Sequence, residues 1–394
     1  MSSAHGGTIP GDLRVVPRSK AVADKSFKYR VGVVGCGRKG TVHARSFDTN
    51  PLAKVVAGAD PDKENLDIFT KRFNCPGYSS YQEMLQKEKI DIVLAILPVS
   101  PNPSVVIGCA EMGVKAIQCE KPMAASLADA DRMVEVCRKN NVKLAVGDLD
   151  RNITHYHKAM EYIRSGAIGE VQSIIVSNGA GVELAGGGIQ QFSLARLFAG
   201  DVDAAWAIGW VNGDPNTELD MGGSGIVRFV NGVEAFFTKE STAKYGYEVL
   251  CTKGTFYADG QRAYLWKTKE GAHRRSGNYV EPVEGVLPTI GLYENRGTYD
   301  AEGWRYFPRN NDTAASLVEA LDKGIEPRAN GDNGRKALEL AIAFRESARL
   351  GHVPVRLPLP NRNIRMVPAP TRMGNKKESK EASGYMISLM SIKK

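Results

Sequence analysis

The stretch "YRVGVVGCGRKGTVHARSF", residues 29–47, decides the fold. A short apolar run ends in Gly35-x-Gly37-x-x-Gly40, and the residues after it open a helix. At that spacing Gly35 permits a tight turn, Gly37 lets the backbone approach a pyrophosphate, and Gly40 allows close helix packing, with the helix N-terminus facing the phosphates. Twenty residues beyond Gly40, Asp60 ends a second apolar run, "AKVVAGAD" (53–60). A carboxylate there accepts hydrogen bonds from the adenosine ribose hydroxyls and repels a 2′-phosphate, so NAD is expected over NADP. Arg38 and Lys39 keep NADP as the second choice, because either can meet a phosphate.

Working outward, the runs "IDIVLAIL" (90–97), "VKAIQC" (114–119) and "VKLAVG" (142–147) alternate with helical patterns such as "LADADRMVEVCRKN" (127–140). Alternation of this kind predicts βαβ units and a parallel sheet buried on both faces. After about residue 150 the pattern changes. In "SGIVRFVNGVEAFFTKES" (224–241) an Asn231-Gly232 pair between alternating strands predicts a type I′ hairpin, and "YEVLCTKGTFYADGQRAYLWKT" (247–268) continues with similar turns. Helices are expected at 155–166, 313–324 and 334–351, the last ending near Gly351 and leading into a strand-like "VPVRLPL" (353–359). The expected fold class is α/β: a doubly wound Rossmann domain at 28–149 and a C-terminal α/β domain with a large, mostly antiparallel open sheet at 150–357. Residues 1–27 and 358–394, rich in Gly, Pro, Ser and charge, read as tails.

The 394 residues carry a formal charge of +8. Residues 358–394 hold eight Lys/Arg against two Asp/Glu, and residues 1–27 hold four against two, so the part between them is balanced. A nucleic-acid partner is therefore not expected. No apolar run reaches the ~18 residues of a membrane span, and no signal-peptide core is visible, so a cytoplasmic protein without a membrane partner is expected. The six cysteines, at 36, 75, 109, 119, 137 and 251, form no CxxC pair and read as free thiols, while the scattered histidines lack metal-ligand spacing.

Lys121 in "QCEKPM" (118–123) follows the expected fifth strand, at the carboxyl edge where open parallel sheets bind ligands. A lysine half-desolvated beside a positive nicotinamide loses proton affinity and becomes a usable proton-transfer group. The plain alternative is a strand-end lysine paired with Glu120. His155 and His157, two residues apart, cannot share a helix face. Asp148 and Asp150 read as a strand-end loop. The Arg- and aromatic-rich segment at 273–310 suits either a pocket wall or a subunit contact.

With these motifs in order, followed by "LPVSPN" (97–102), "CEKPMAAS" (119–126), "RNITHYHKAMEYIRSGAIGEV" (151–171), "SLARLFAGDV" (193–202) and the closing 311–359, the chain resembles the glucose-fructose oxidoreductase and inositol dehydrogenase (Gfo/Idh/MocA) family. The resemblance implies an oxidoreductase that uses nicotinamide on sugars or cyclitols and associates as a homodimer or homotetramer. It places Lys121 near the nicotinamide and the reacting hydroxyl, Pro98 and Asn102 along the cofactor, and Glu120 beside the lysine. Arg151 and Tyr156 are implied to face the substrate pocket, with His157 next to them. One position departs: Gln190 stands where the family's dehydrogenases carry a catalytic histidine, and Ser193 where an aspartate is common. An amide can hydrogen-bond a hydroxyl but cannot relay its proton. Three readings follow. The first is a dehydrogenase of sugar, glycoside or cyclitol hydroxyls; the second is an NAD-dependent glycoside hydrolase that oxidises C3 transiently, eliminates, adds water and restores the alcohol. The third is a catalytically silent NAD-binding regulator.

Overall fold

The computed structural model of the protein describes residues 27–147, 150–177, 181–239, 246–259, 263–272, 275, 278–287, 298–299, 305–306 and 308–368. Six strands, β1 (Tyr29–Val34), β2 (Ala53–Ala59), β3 (Gly77–Tyr78), β4 (Ile92–Ala95), β5 (Ala116–Cys119) and β6 (Lys143–Val146), form a parallel sheet in the order β3-β2-β1-β4-β5-β6. β4 and β5 are buried at every residue, as strands covered on both faces must be. The covering helices of this half are α1 (Arg38–Asp48), α2 (Lys63–Phe73), α3 (Tyr81–Lys87), α4 (Asn102–Glu111) and α5 (Leu127–Lys139). Asp62, Ser80 and Ser126 accept from backbone N–H groups at the starts of α2, α3 and α5, so those starts are fixed locally. The strand order reverses between β1 and β4, and the crevice outside their carboxyl ends is where such sheets take ligands.

The second sheet contains β7 (Val171–Val176), β8 (Ala204–Val211), β9 (Gly223–Phe229), β10 (Glu234–Phe237), β11 (Tyr247–Cys251), β12 (Gly254–Ala258), β13 (Ala263–Thr268) and β14 (Val280–Pro282). A separate ribbon pairs β15 (Thr298–Tyr299) with β16 (Arg305–Tyr306), and β17 (Val355–Arg356) closes the edge beside β8. The order is β14-β13-β12-β11-β7-β10-β9-β8-β17, antiparallel throughout except for β7 with β10. Helices α6 (Thr154–Arg164), α7 (Ile189–Phe198), α8 (Pro308–Lys323) and α9 (Gly331–Arg349) complete the α/β fold. α7 and α9 press on one face of this sheet, where Phe192, Phe237 and Phe344 meet with ring centroids 4.8, 4.9 and 5.4 Å apart.

Two elements differ from what the sequence alone predicts. The Asn231-Gly232 hairpin is not a two-residue type I′ turn: Gly232 has φ +91° while Asn231 does not enter the left-handed region. Gly232 N donates to Phe229 O and Phe229 N to Val233 O, which makes a three-residue loop with glycine at the left-handed position. Residues 359–367, read as the start of a tail, are docked. Leu359 and Met366 are buried, Arg362 pairs with Asp131 and Glu339, and Met366 N donates to Ala125 O. Composition could not show this, because single apolar anchors at 359, 364 and 366 among polar residues set up no periodicity. No helix among the described residues is long and apolar enough to cross a membrane.

Candidate active site

The site grows from the turn after β1. Gly35 has φ +91°, and a Cβ on it would lie 2.3 Å from Ile96 O; a Cβ on Gly40 would lie 1.8 Å from Gly35 O. Gly37 differs: it caps α1 with extended backbone, and a Cβ there would meet only Asn65 Nδ2, at 3.8 Å. α1 has no side-chain cap and no acidic residue in its first turn, so its positive end is open to an anion. Arg38 and Lys39 beside it are exposed. Asp60 closes the loop from below: Oδ2 accepts from Cys36 N at 2.7 Å and Oδ1 from Asp62 N at 2.8 Å. Burial raises its carboxyl above the usual range, against the pull of those two N–H groups, and each oxygen keeps a lone pair for a ribose hydroxyl. The residues present therefore fit a dinucleotide.

The second wall is built by the end of β5. Glu120 Oε2 accepts from Lys121 N at 2.6 Å, and its carbonyl accepts from Asn102 Nδ2 at 3.1 Å. Its Oε1 stands 3.8 Å from Nε2 of the buried His43 in α1. Gln118 Nε2 lies 2.9 Å from His43 Nδ1; with the amide donating there, the ring proton sits on Nε2, toward Glu120. Burial pushes the Glu120 carboxyl up, but His43, Lys121 and Lys39 together hold it down at about 2. Glu120 is thus a fixed anion between the cofactor helix and the lysine. Lys121 Nζ reaches across to the second half of the chain and donates to Gly186 O at 2.8 Å. Pro98 is exposed in the loop after β4, whose Leu97 comes against Gly35.

Beyond Lys121 the expected substrate residues separate. Arg151 does not face a pocket: it is buried, with Nε on Arg328 O (2.7 Å), Nη1 on Ser193 O (2.8 Å) and Nη2 on both oxygens of Asp201 (2.6 Å). Those contacts make it a brace between the 3-10 turn Asp150–Asn152 and α7. Tyr156 is also core, fully buried with its ring edge-on to Phe198, Tyr247 and Phe256 at 5.7, 6.1 and 6.3 Å. His157 has its Nε2 2.7 Å from Arg151 O. Burial leads in lowering its imidazole to about 4, so it is neutral near pH 7 and holds a backbone rather than moving protons. All three were assigned by position on a helix start, and the helix turns that face inward.

Gln190, in the first turn of α7, is half-buried. The amide orientation that satisfies its neighbours puts Nε2 2.5 Å from Oδ2 of the buried Asp150. Asp150 falls in a stretch that reads as loop, and no motif marks it, because the pairing joins residues forty apart in sequence. His43, Gly186 and Asp220 were missed as well. Of these only His43 carries a sequence signal, as a histidine three residues after Gly40 in α1. A groove of about 400 Å³ between α5, β6 and the start of α9 lies at the amino end of β6, away from Lys121. Asp148 and most of 273–310 lie outside the described residues. Among the described residues no cluster of three His, Cys, Asp or Glu could hold a metal ion, and all six cysteines are free.

The model of the oxidoreductase family with an NAD-binding Rossmann fold, Gfo/Idh/MocA, matches residues 29–148. The match supports a Gfo/Idh/MocA-family oxidoreductase. The chain is 26% identical over 346 residues to the myo-inositol 2-dehydrogenase of Thermotoga maritima, covering 81% of this chain and 96% of that protein. It is 30% identical over 142 residues to the 2,7-anhydro-N-acetylneuraminate hydratase of Escherichia coli K12, covering 36% of this chain and 37% of that protein. In fold it is similar to the WlbA dehydrogenase of Bordetella pertussis in complex with NADH and UDP-GlcNAcA, with a TM-score of 0.66, 21% identity, and coverage of 85% and 99%.

Proposed function

We propose that this oxidoreductase transfers a hydride between NAD and a hydroxyl of a sugar, glycoside or cyclitol. The observation that carries the proposal is the placement of Lys121: it leaves the carboxyl end of β5 beside the dinucleotide turn and ends on Gly186 O of the other half, the junction a substrate must enter. Gly35, Gly37 and Gly40 with the α1 N-terminus would hold the pyrophosphate, Asp60 the ribose hydroxyls, and Asn102 and Glu120 the far side. Bound NAD supplies the hydride acceptor. Lys121 takes the hydroxyl proton during oxidation and returns it in reduction, with Glu120 as a nearby fixed anion that does not itself titrate near neutrality. Gln190, turned by Asp150, orients a substrate hydroxyl without relaying its proton.

Two further features support details. Asp60 disfavours a 2′-phosphate and so favours NAD over NADP. The face of the second sheet away from α7 and α9 exposes Trp210, Leu250, Tyr264 and Trp266, a surface suited to a second copy of the chain and thus to a homo-oligomer.

A second reading keeps its place because of Gln190 and the hydratase relative: a redox-neutral route on a glycoside or anhydro-sugar, with oxidation at C3, elimination, water addition and re-reduction on the same NAD. One experiment separates them. Purified protein with excess NAD is offered a panel of sugars, cyclitols and aryl glycosides while near-ultraviolet absorbance reports reduced nicotinamide. Steady accumulation with a sugar or cyclitol supports hydride transfer; release of the aryl group without accumulation supports the redox-neutral route instead.

A further inference from the structure

We infer that Asp220 is a positioning residue for Lys121 and that the docked segment 359–367 completes the same brace. The inference rests on the reading of Lys121 as the proton-transfer group. Asp220, in the turn before β9, is 5% exposed, and its carboxylate takes two adjacent backbone N–H groups: Oδ1 from Ala185 at 3.1 Å and Oδ2 from Gly186 at 2.8 Å. Gly186 is the residue whose carbonyl receives Lys121 Nζ. Its N–H is therefore gripped from one side while its oxygen faces the ammonium on the other. A lysine side chain has a flexible four-carbon stem and no position of its own, so the carbonyl is a contact that helps fix where the nitrogen waits.

Asp220 is held in turn by the C-terminal segment. Asp220 N donates to Val367 O at 2.7 Å, and Val367 N donates to Glu218 O at 2.8 Å. One residue earlier, Met366 N donates to Ala125 O at 2.8 Å, only four residues after Lys121. The result is a closed ring: Lys121 to Gly186, Gly186 to Asp220, Asp220 to Val367, and Met366 back to the strand-end loop that carries Lys121. Arg362 on Asp131, at 2.7 and 2.8 Å, and Leu359 N on Glu339, at 2.9 Å, fasten the segment to α5 and α9. Both partners of the Lys121–Gly186 contact thus lean on residues 366 and 367. Asp220 touches no reacting atom; it acts through Gly186.

The test uses the full chain with NAD bound and needs no substrate. Asp220→Asn keeps the shape but can accept only one of the two N–H groups. Labelling of lysines by an amine-reactive ester is followed peptide by peptide, with NAD affinity measured alongside. The expected result is a change of about threefold or more in the labelling rate of Lys121, with exposed Lys253 and the Kd for NAD within about twofold of the wild type. With a turned-over substrate, kcat should fall about tenfold while KM for NAD holds. Val367→Pro, which removes the N–H that Glu218 O accepts and leaves the Asp220 side chain unchanged, should give the same signature and serves where Asp220→Asn does not fold. Wild-type labelling of Lys121 in NAD-binding variants overturns the inference. So does loss of NAD binding with uniform labelling of all lysines, the mark of a residue that supports only the fold. A wrong substrate class would leave these readouts untouched, so the two proposals fail separately.

Discussion

Gly37 and Gly40 are indistinguishable as letters, yet their surroundings assign them opposite consequences. A methyl at Gly40 would be driven into Gly35 O, so Gly40→Ala should destabilise by about 1–3 kcal/mol or more in a denaturant titration. A methyl at Gly37 finds ordinary contact distance and an allowed φ of −68°, so Gly37→Ala should melt as the wild type does while binding NAD about tenfold more weakly. His157 supplies a pH signature. Its imidazole falls from 6.5 to about 4 in the fold, so on acidification the unfolded chain takes the proton first. The corresponding stability is complete above pH 6.5, declines as pH drops toward 4, and is then constant, a total of about 3 kcal/mol at most. His157→Gln should flatten that part of the curve, as read by urea unfolding at about pH 7 and about pH 4.5. The glycines, Asp60 and Lys121 stand out in the sequence because each belongs to a local motif. Arg151 and Tyr156, which the resemblance turns toward the substrate, are buried instead, because residue type does not say which way a helix start is turned.

Elements were legible in proportion to their periodicity. β1, β2, β4, β5 and β6 read directly as apolar runs, and α5 and α9 as amphipathic helices with polar starts. β3 is two residues long and is defined only by its neighbour β2. α7 is buried at nine of its ten positions, so it has no polar face to mark a period. Its burial makes it the element on which the second half is built. Phe344 of α9 packs against Phe192 and Phe237, and Phe344→Ala should cost about 3–5 kcal/mol, with a lowered midpoint and unchanged slope in denaturant. Gly186, the first of three consecutive glycines that lead into α7, is the place where Lys121 lands.

At the scale of the whole molecule, Lys121 is one of the places where the two halves of the chain meet. The first half delivers Lys121 and the dinucleotide turn, the second delivers Gly186 from the loop before α7 and Gln190 from its first turn, and the docked C-terminal segment ties the two sides together. Neither the segment nor the meeting point is visible from composition, because both depend on pairings between distant parts of the chain. The open face of the second sheet was legible only as alternation. Its row of Trp206, Ile208 and Trp210 on β8, facing Ile226 on β9 and Phe236 on β10, is what an association surface requires. Ile226→Asp should shift the protein to a smaller species in light scattering while leaving NAD affinity within about twofold. In the proposed function Lys121 moves the proton in a site otherwise prepared by the fold. The decisive experiment is turnover and NAD binding of Lys121→Met beside the wild type on the same substrate. The prediction is a loss of about a hundredfold or more in kcat with NAD affinity unchanged; a variant that binds NAD and turns over at the wild-type rate would contradict it.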